Sequence, residues 1–178
     1  MIYSQPSAYT IRMPALWELP DIGNDEAPLF FKACDQIGIA SHDYQLAPTP
    51  ITQKTPVKYR RAVHRCAQYF QREFGYDFVQ YGFEGRDPDP SHRAFLWTGA
   101  SSHPYTVIGA CCFRWREYRS SPHAYALQWA WLHPYERRKG VLTACWPFFV
   151  ARFGEFSIEA PHSPAMQAFI RKNAPWYT

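Results

Sequence analysis

Leu132-His133-Pro134-Tyr135-Glu136-Arg137-Arg138-Lys139-Gly140-Val141-Leu142 joins two segments of different character. Before it, Tyr125–Trp131 reads as a strand, rich in aromatic residues. After it, Leu142–Phe153 is an apolar run of helical length. A strand, a basic glycine turn and a helix leave several backbone N–H groups unpaired at the helix N-terminus. Those donors and the positive end of the helix dipole favour a phosphate group. Arg137, Arg138 and Lys139 add positive charge there, and Gly140 brings backbone near a ligand with no Cβ in the way. A solvated surface turn also carries such a charge run.

Outward from this turn, Phe156–Ala160 reads as the next strand and Ser163–Lys172 as the next helix. Upstream, Val57–Phe74 is the clearest helix, with Val63, Cys66, Ala67, Phe70 and Phe74 at helical spacing and Gly75 to end it. Its other face carries Lys58, Arg60, Arg61, Arg65 and Arg72, which reads as a solvated face or as one that meets phosphate or an acidic partner. Tyr76–Phe83, Arg93–Thr98 and Thr106–Trp115 are strand candidates, with turns over Gly85–His92 and Arg119–His123. Ser41–Pro56 reads as loop because Pro48, Pro50 and Pro56 forbid a long helix. Ser4–Pro20 reads as an extended arm and Glu26–Gly38 as a short helix capped by Asp25. Pro147, inside the helix after Gly140, predicts either a bend near Trp146 or a break.

The strand, turn and helix resemble the acyl-CoA site of the GNAT superfamily of N-acetyltransferases. The family pattern is Arg/Gln-x-x-Gly-x-Gly/Ala ahead of a helix. Arg137 takes its first position and Gly140 its first glycine, with Pro134 three residues earlier. Leu142 stands where the family has Gly or Ala. Ser163-x-x-Met166-x-x-Phe169-Ile170-x-Lys172 is similar to a later helix of the family, so the resemblance runs over roughly residues 93 to 173. It implies an α/β (α+β) fold, a mixed and mostly antiparallel sheet flanked by helices. Residues 56–178 would form the acyltransferase domain, with residues 1–55 packed on it. It also implies transfer of an acetyl or other acyl group from acetyl-CoA to an amine, either a small molecule or a protein lysine. The cofactor contacts would be Trp131, Leu132, Arg137, Arg138, Lys139, Gly140, Val141, Leu142 and Ser163.

The family often places a Glu base earlier on the same strand. Here that region holds Ala126. Alternation puts Gln128 on one face with Ala126 and Ala130, where its amide could hold a water. Candidate proton carriers nearby are His123, Glu159 and His162. Ile170 stands where many members have the Tyr that protonates the leaving thiolate. Ser163 fits a cofactor contact and equally a helix N-cap. Trp129 and Trp131, at alternate strand positions, read as core packing.

Composition bounds the alternatives. The chain has 178 residues, 47% of them hydrophobic and 18% aromatic, which suits one folded domain and argues against disorder. No apolar run reaches membrane-spanning length, and Met1–Thr10 lacks the pattern of a signal peptide. Five cysteines, an odd number without metal-ligand spacing, predict reduced thiols in a cytoplasmic protein and no metal. Cys111 and Cys112 are expected on opposite faces of a strand. A net charge of +4 suits an anionic cosubstrate and also weak nucleic-acid contact. Two other functions stay open: a CoA-binding regulatory module, and a nucleic-acid-binding protein using the basic helix and the turn together.

Overall fold

A computed structural model of the chain describes residues 48–82, 91–98, 106–117 and 124–177. The predicted arm at Ser4–Pro20, the helix at Glu26–Gly38, the turn at Arg119–His123 and the side chain of His123 lie outside the described residues.

The fold is a mixed α/β layer structure. Five strands lie in the order β1 (Thr49–Ile51), β2 (His92–Thr98), β3 (Val107–Arg116), β4 (Ala124–Leu132) and β5 (Ser157–Ile158). All pairings are antiparallel except β4 with β5, which is parallel. The helices are α1 (Val57–Phe74), α2 (Val141–Phe153) and α3 (Pro164–Asn173). α1 packs on one face, against Ala94, Leu96, Ala110, Cys112, Trp129 and Trp131. α2 and α3 pack on the other, against Phe95, Trp97, Cys111, Phe113 and Leu127. The coarse expectation of a mostly antiparallel sheet with helices on both faces is what the structure has. Cys111 and Cys112 face opposite ways, as alternation requires, and Trp129 and Trp131 are both core residues on the α1 side. Among the described residues, no helix is long and apolar enough to cross a membrane.

α1 has the bounds its sequence gives it. Tyr59, Ala62, Val63, Cys66, Ala67, Tyr69 and Phe70 form its buried stripe, and Gly75 closes it in the left-handed conformation at φ 69°. α2 runs unbroken through Pro147, although the carbonyl of Thr143 cannot receive a bond from an imide nitrogen. Its apolar packing holds it together: Phe149 is fully buried, with its ring 5.0 Å from Phe113 and 5.2 Å from Phe95.

Three expectations need correction. Ser41–Pro56 is not all loop, because Thr49–Ile51 forms the edge strand β1; Pro50 fits there because an edge strand can spare one donor. The sheet therefore begins before residue 56. Tyr76–Gly82 is irregular rather than a strand. Its aromatic spacing serves packing: Tyr76 stacks on Phe70 at 5.0 Å and Tyr81 is buried. The carbonyl of Tyr81 accepts from His64 Nδ1 at 2.7 Å, a side-chain partner in place of a strand. Phe156–Ala160 keeps only Ser157–Ile158 as strand, because the chain leaves β4 soon afterwards.

Gly109 of β3 faces Leu132 of β4. A Cβ on Gly109 would collide with the Trp131 carbonyl oxygen and lie 2.7 Å from Leu132 Cδ2. Gly109→Ala should cost about 2 kcal/mol by overpacking, read from denaturant unfolding. An unchanged midpoint would mean that the strands part there at no cost.

Candidate functional site

The site begins with an irregularity in β4. Cys112 faces Trp129 and Phe113 faces Leu127, so Gln128 is an extra residue, a β-bulge. The bulge breaks alternation. Leu127 packs on the α2 side and Trp129 on the α1 side, although they are two residues apart. The expectation that Gln128 shares a face with both Ala126 and Ala130 fails for this reason, since Ala130 packs on the α2 side. Gln128 Nε2 donates to Gln80 Oε1 at 2.6 Å, while Gln128 Oε1 is buried with no hydrogen-bond partner.

β5 meets β4 only at Ala126 with Ser157 and Leu127 with Ile158, plus one bond from Glu159 N to the Leu127 carbonyl at 2.9 Å. Beyond this the two strands separate, and a shallow cleft partly open to solvent lies between them. Leu127–Ala130 form one wall and Ile158, Glu159 and Pro161–Ser163 the other. Three of the four predicted proton-handling residues, Gln128, Glu159 and His162, thus line one cleft, and Ser163 joins them. Glu159 is held by Arg116, whose Nη2 lies 2.5 Å from Glu159 Oε1. His162 Nε2 donates to the Ile158 carbonyl at 3.2 Å, which leaves Nδ1 as the basic nitrogen of the neutral ring. Ser163 caps α3, its Oγ accepting from Met166 N at 3.2 Å.

At the far end of β4 lies the basic turn. His133 N donates to the Ile108 carbonyl at 2.7 Å, and Pro134–Glu136 form one 3-10 turn. Arg137 points back into the protein. Its Nη1 and Nη2 donate to the two oxygens of Glu73 on α1, each at 2.6 Å, and its Nε donates to the Leu132 carbonyl at 2.9 Å. Trp131 Nε1 donates to the same Glu73 carboxylate at 2.8 Å. The Arg137 side chain, expected to add charge beside a phosphate, is in this structure a half-buried staple between α1 and the turn. Arg138 and Lys139 remain exposed. Arg138 at φ 64° and Gly140 at φ 81° both take the left-handed conformation. A Cβ on Gly140 would meet nothing within 4 Å, so glycine is needed there for its backbone angle, and the space before the helix is open. The first helical bond runs from Ala144 N to the Gly140 carbonyl at 2.8 Å. The N–H groups of Val141, Leu142 and Thr143 precede it, and no side chain caps this end. The Leu142 side chain packs against the core on the α2 side.

Glu73, Gln80 and Arg116 bond candidate site residues, and sequence reasoning missed them. Glu73 sits on a helix whose polar face reads as basic, 64 residues from Arg137, and no local pattern pairs them.

His133 Nδ1 accepts from Tyr135 N at 3.2 Å. Burial holds the His133 pKa below its ordinary 6.5; Glu136 opposes this, and Arg137 and Lys139 reinforce it. Below pH 6.5 the unfolded chain therefore binds a proton that the folded chain resists, and acidification costs stability. His133→Asn keeps a cap acceptor without the titration. Its unfolding free energy should fall less between pH 7 and pH 5 than that of the wild type. Parallel pH profiles would show that His133 is not the group responsible.

Among the described residues, no group of three or more His, Cys, Asp or Glu side chains is placed to hold a metal ion. No protein-family model matches this chain, and no curated protein matches it.

Proposed function

We propose that this chain is an acyl-CoA-dependent N-acyltransferase, moving an acetyl or related acyl group from acyl-CoA to an amine. One juxtaposition carries the reading: the stretch of β4 that lacks a partner on its β5 side runs from a cleft to an uncapped helix end. The N–H groups of Val141, Leu142 and Thr143 would hold the pyrophosphate, with Arg138 and Lys139 supplying charge. Arg137 contributes by fixing the turn. From Gln128 onward the β5 side of β4 has no strand partner among the described residues, so backbone groups as far as Trp131 could meet an amide-bearing arm, while the Leu132 carbonyl is already taken by Arg137 Nε. Ser163, at the cleft, is already engaged as a cap.

Acetyl-CoA supplies the activated acyl group. The protein's share is to bring an amine into the cleft and accept its proton. His162 Nδ1 is the acceptor that this reading assigns, because Nε2 of the same ring is bonded to the Ile158 carbonyl. Glu159 serves only if it loosens from Arg116, and Gln128 can orient a water or an amine but cannot take a proton. Ile170 is buried and apolar, so the leaving sulfur must gain its proton from another source.

The engagement of Glu159 by Arg116 favours one second reading, a CoA-binding module with little or no turnover. Mass spectrometry of the purified protein for bound CoA, followed by an amine screen with acetyl-CoA, separates the two. Bound CoA with release of free thiol on adding an amine supports the enzyme. Bound CoA without turnover supports the module. Absence of binding rejects both.

A further inference from the structure

We infer that the amine accepted at this cleft is a single primary amine carried on an aromatic or otherwise apolar body, entering from the α1 side. The inference rests on the acyltransferase reading and names its acceptor. The cleft is lined from both faces of the sheet. On the α2 and α3 side it meets Ser163 and Met166, next to the helix that follows β5. On the α1 side its wall is aromatic: Phe70, Phe74, Tyr76 and Trp129. Phe70 sits at the centre, 4.9 Å from Phe74, 5.0 Å from Tyr76 and 5.9 Å from Trp129 by ring centroids. Such a wall gains by burying apolar surface and offers ring faces to an aromatic body.

Charge excludes the polycationic alternatives. Glu159 is the one carboxylate among the lining residues, and Arg116 already neutralises it. A polyamine or a lysine-rich peptide would bring further charges to a wall with nothing to pair them, at a desolvation cost. One buried acceptor, Gln128 Oε1, has no partner and matches the N–H of a single amine. Apolar surroundings also favour the uncharged form of that amine, which is the form that attacks. In the transfer the nitrogen bonds to the acyl carbon as the carbon–sulfur bond breaks, and the electron pair of that bond stays on sulfur. The amine loses one proton and the sulfur gains one, giving an amide and a thiol.

The test is steady-state kinetics with acetyl-CoA and three acceptors: 2-phenylethylamine, spermidine and a lysine-containing peptide. The expected kcat/KM for 2-phenylethylamine exceeds both others by at least about tenfold, and Phe74→Ala raises its KM by about tenfold or more while acetyl-CoA affinity stays within about twofold. If Phe74→Ala does not fold, Phe74→Leu should raise KM about threefold. Preference for spermidine or the peptide overturns the inference, as does an unchanged KM in the Phe74 variants. Failure of the wider reading shows separately, as a protein that binds no acetyl-CoA. In that case calorimetric titration with 2-phenylethylamine judges the cleft alone: binding weakened by the Phe74 variants supports it, and no binding overturns it.

Discussion

Glu73→Ala is expected to cost about 3 kcal/mol of folding stability, because one carboxylate serves three donors at once. Two come from Arg137 at 2.6 Å and one from Trp131 Nε1 at 2.8 Å. Trp131 is 1% exposed, so its indole N–H has no water to turn to when Glu73 is lost. The Arg137 side chain is 36% exposed and recovers part of its solvation, which keeps the figure below that of a fully buried pair. Glu73→Gln retains an acceptor for the indole and should lose about half as much. Removing Arg137 as well should add little, since both changes break one network. Chemical denaturation of the three variants measures this. A loss under about 0.5 kcal/mol in Glu73→Ala, the range of an ordinary surface substitution, would show that the network does not hold α1 to the turn.

Gly140→Asp should weaken acetyl-CoA binding by about a hundredfold. The substitution places a carboxylate ahead of an uncapped helix end, at a position whose Cβ points into open space. At roughly 6 Å and an effective dielectric of about 20, one like-charge pair costs about 2.8 kcal/mol. Gly140→Asn is the control: Asn tolerates the left-handed φ of 81° and carries no charge. It should lose far less affinity, and the difference between the two variants is the electrostatic part. Calorimetry in which both variants bind like the wild type would remove the turn from the binding site.

Local chemistry made much of this fold legible. The stripe from Val63 to Phe74 and the glycine after it mark α1, and the long apolar and aromatic runs mark β3 and β4. Ser163 was legible as a possible cap from its residue type at the start of the predicted helix Ser163–Lys172. What depends on pairing did not show. The bulge at Gln128 exists only because β3 advances one residue where β4 advances two, and no single strand carries that mismatch. β1 stayed hidden because three residues containing a proline have no period. Tyr76–Gly82 misled in the opposite way: Tyr76, Val79 and Tyr81 pack individually onto α1 and the sheet, while Phe78 is exposed. The basic turn was legible as a turn, but its roles were not. Arg137 and Arg138 look alike in sequence, and only the carboxylate of Glu73 makes one a staple while the other stays in solvent.

In the proposed function, CoA lies along β4 with its phosphates on the α2 end. Backbone amide chemical shifts of the isotope-labelled protein, followed as acetyl-CoA is added, test it most directly. The largest changes are expected at Val141, Leu142 and Thr143, and a second group at Gln128–Trp131, both saturating with one affinity. Shifts confined to other surfaces, or none at concentrations where CoA-dependent enzymes are saturated, would contradict it.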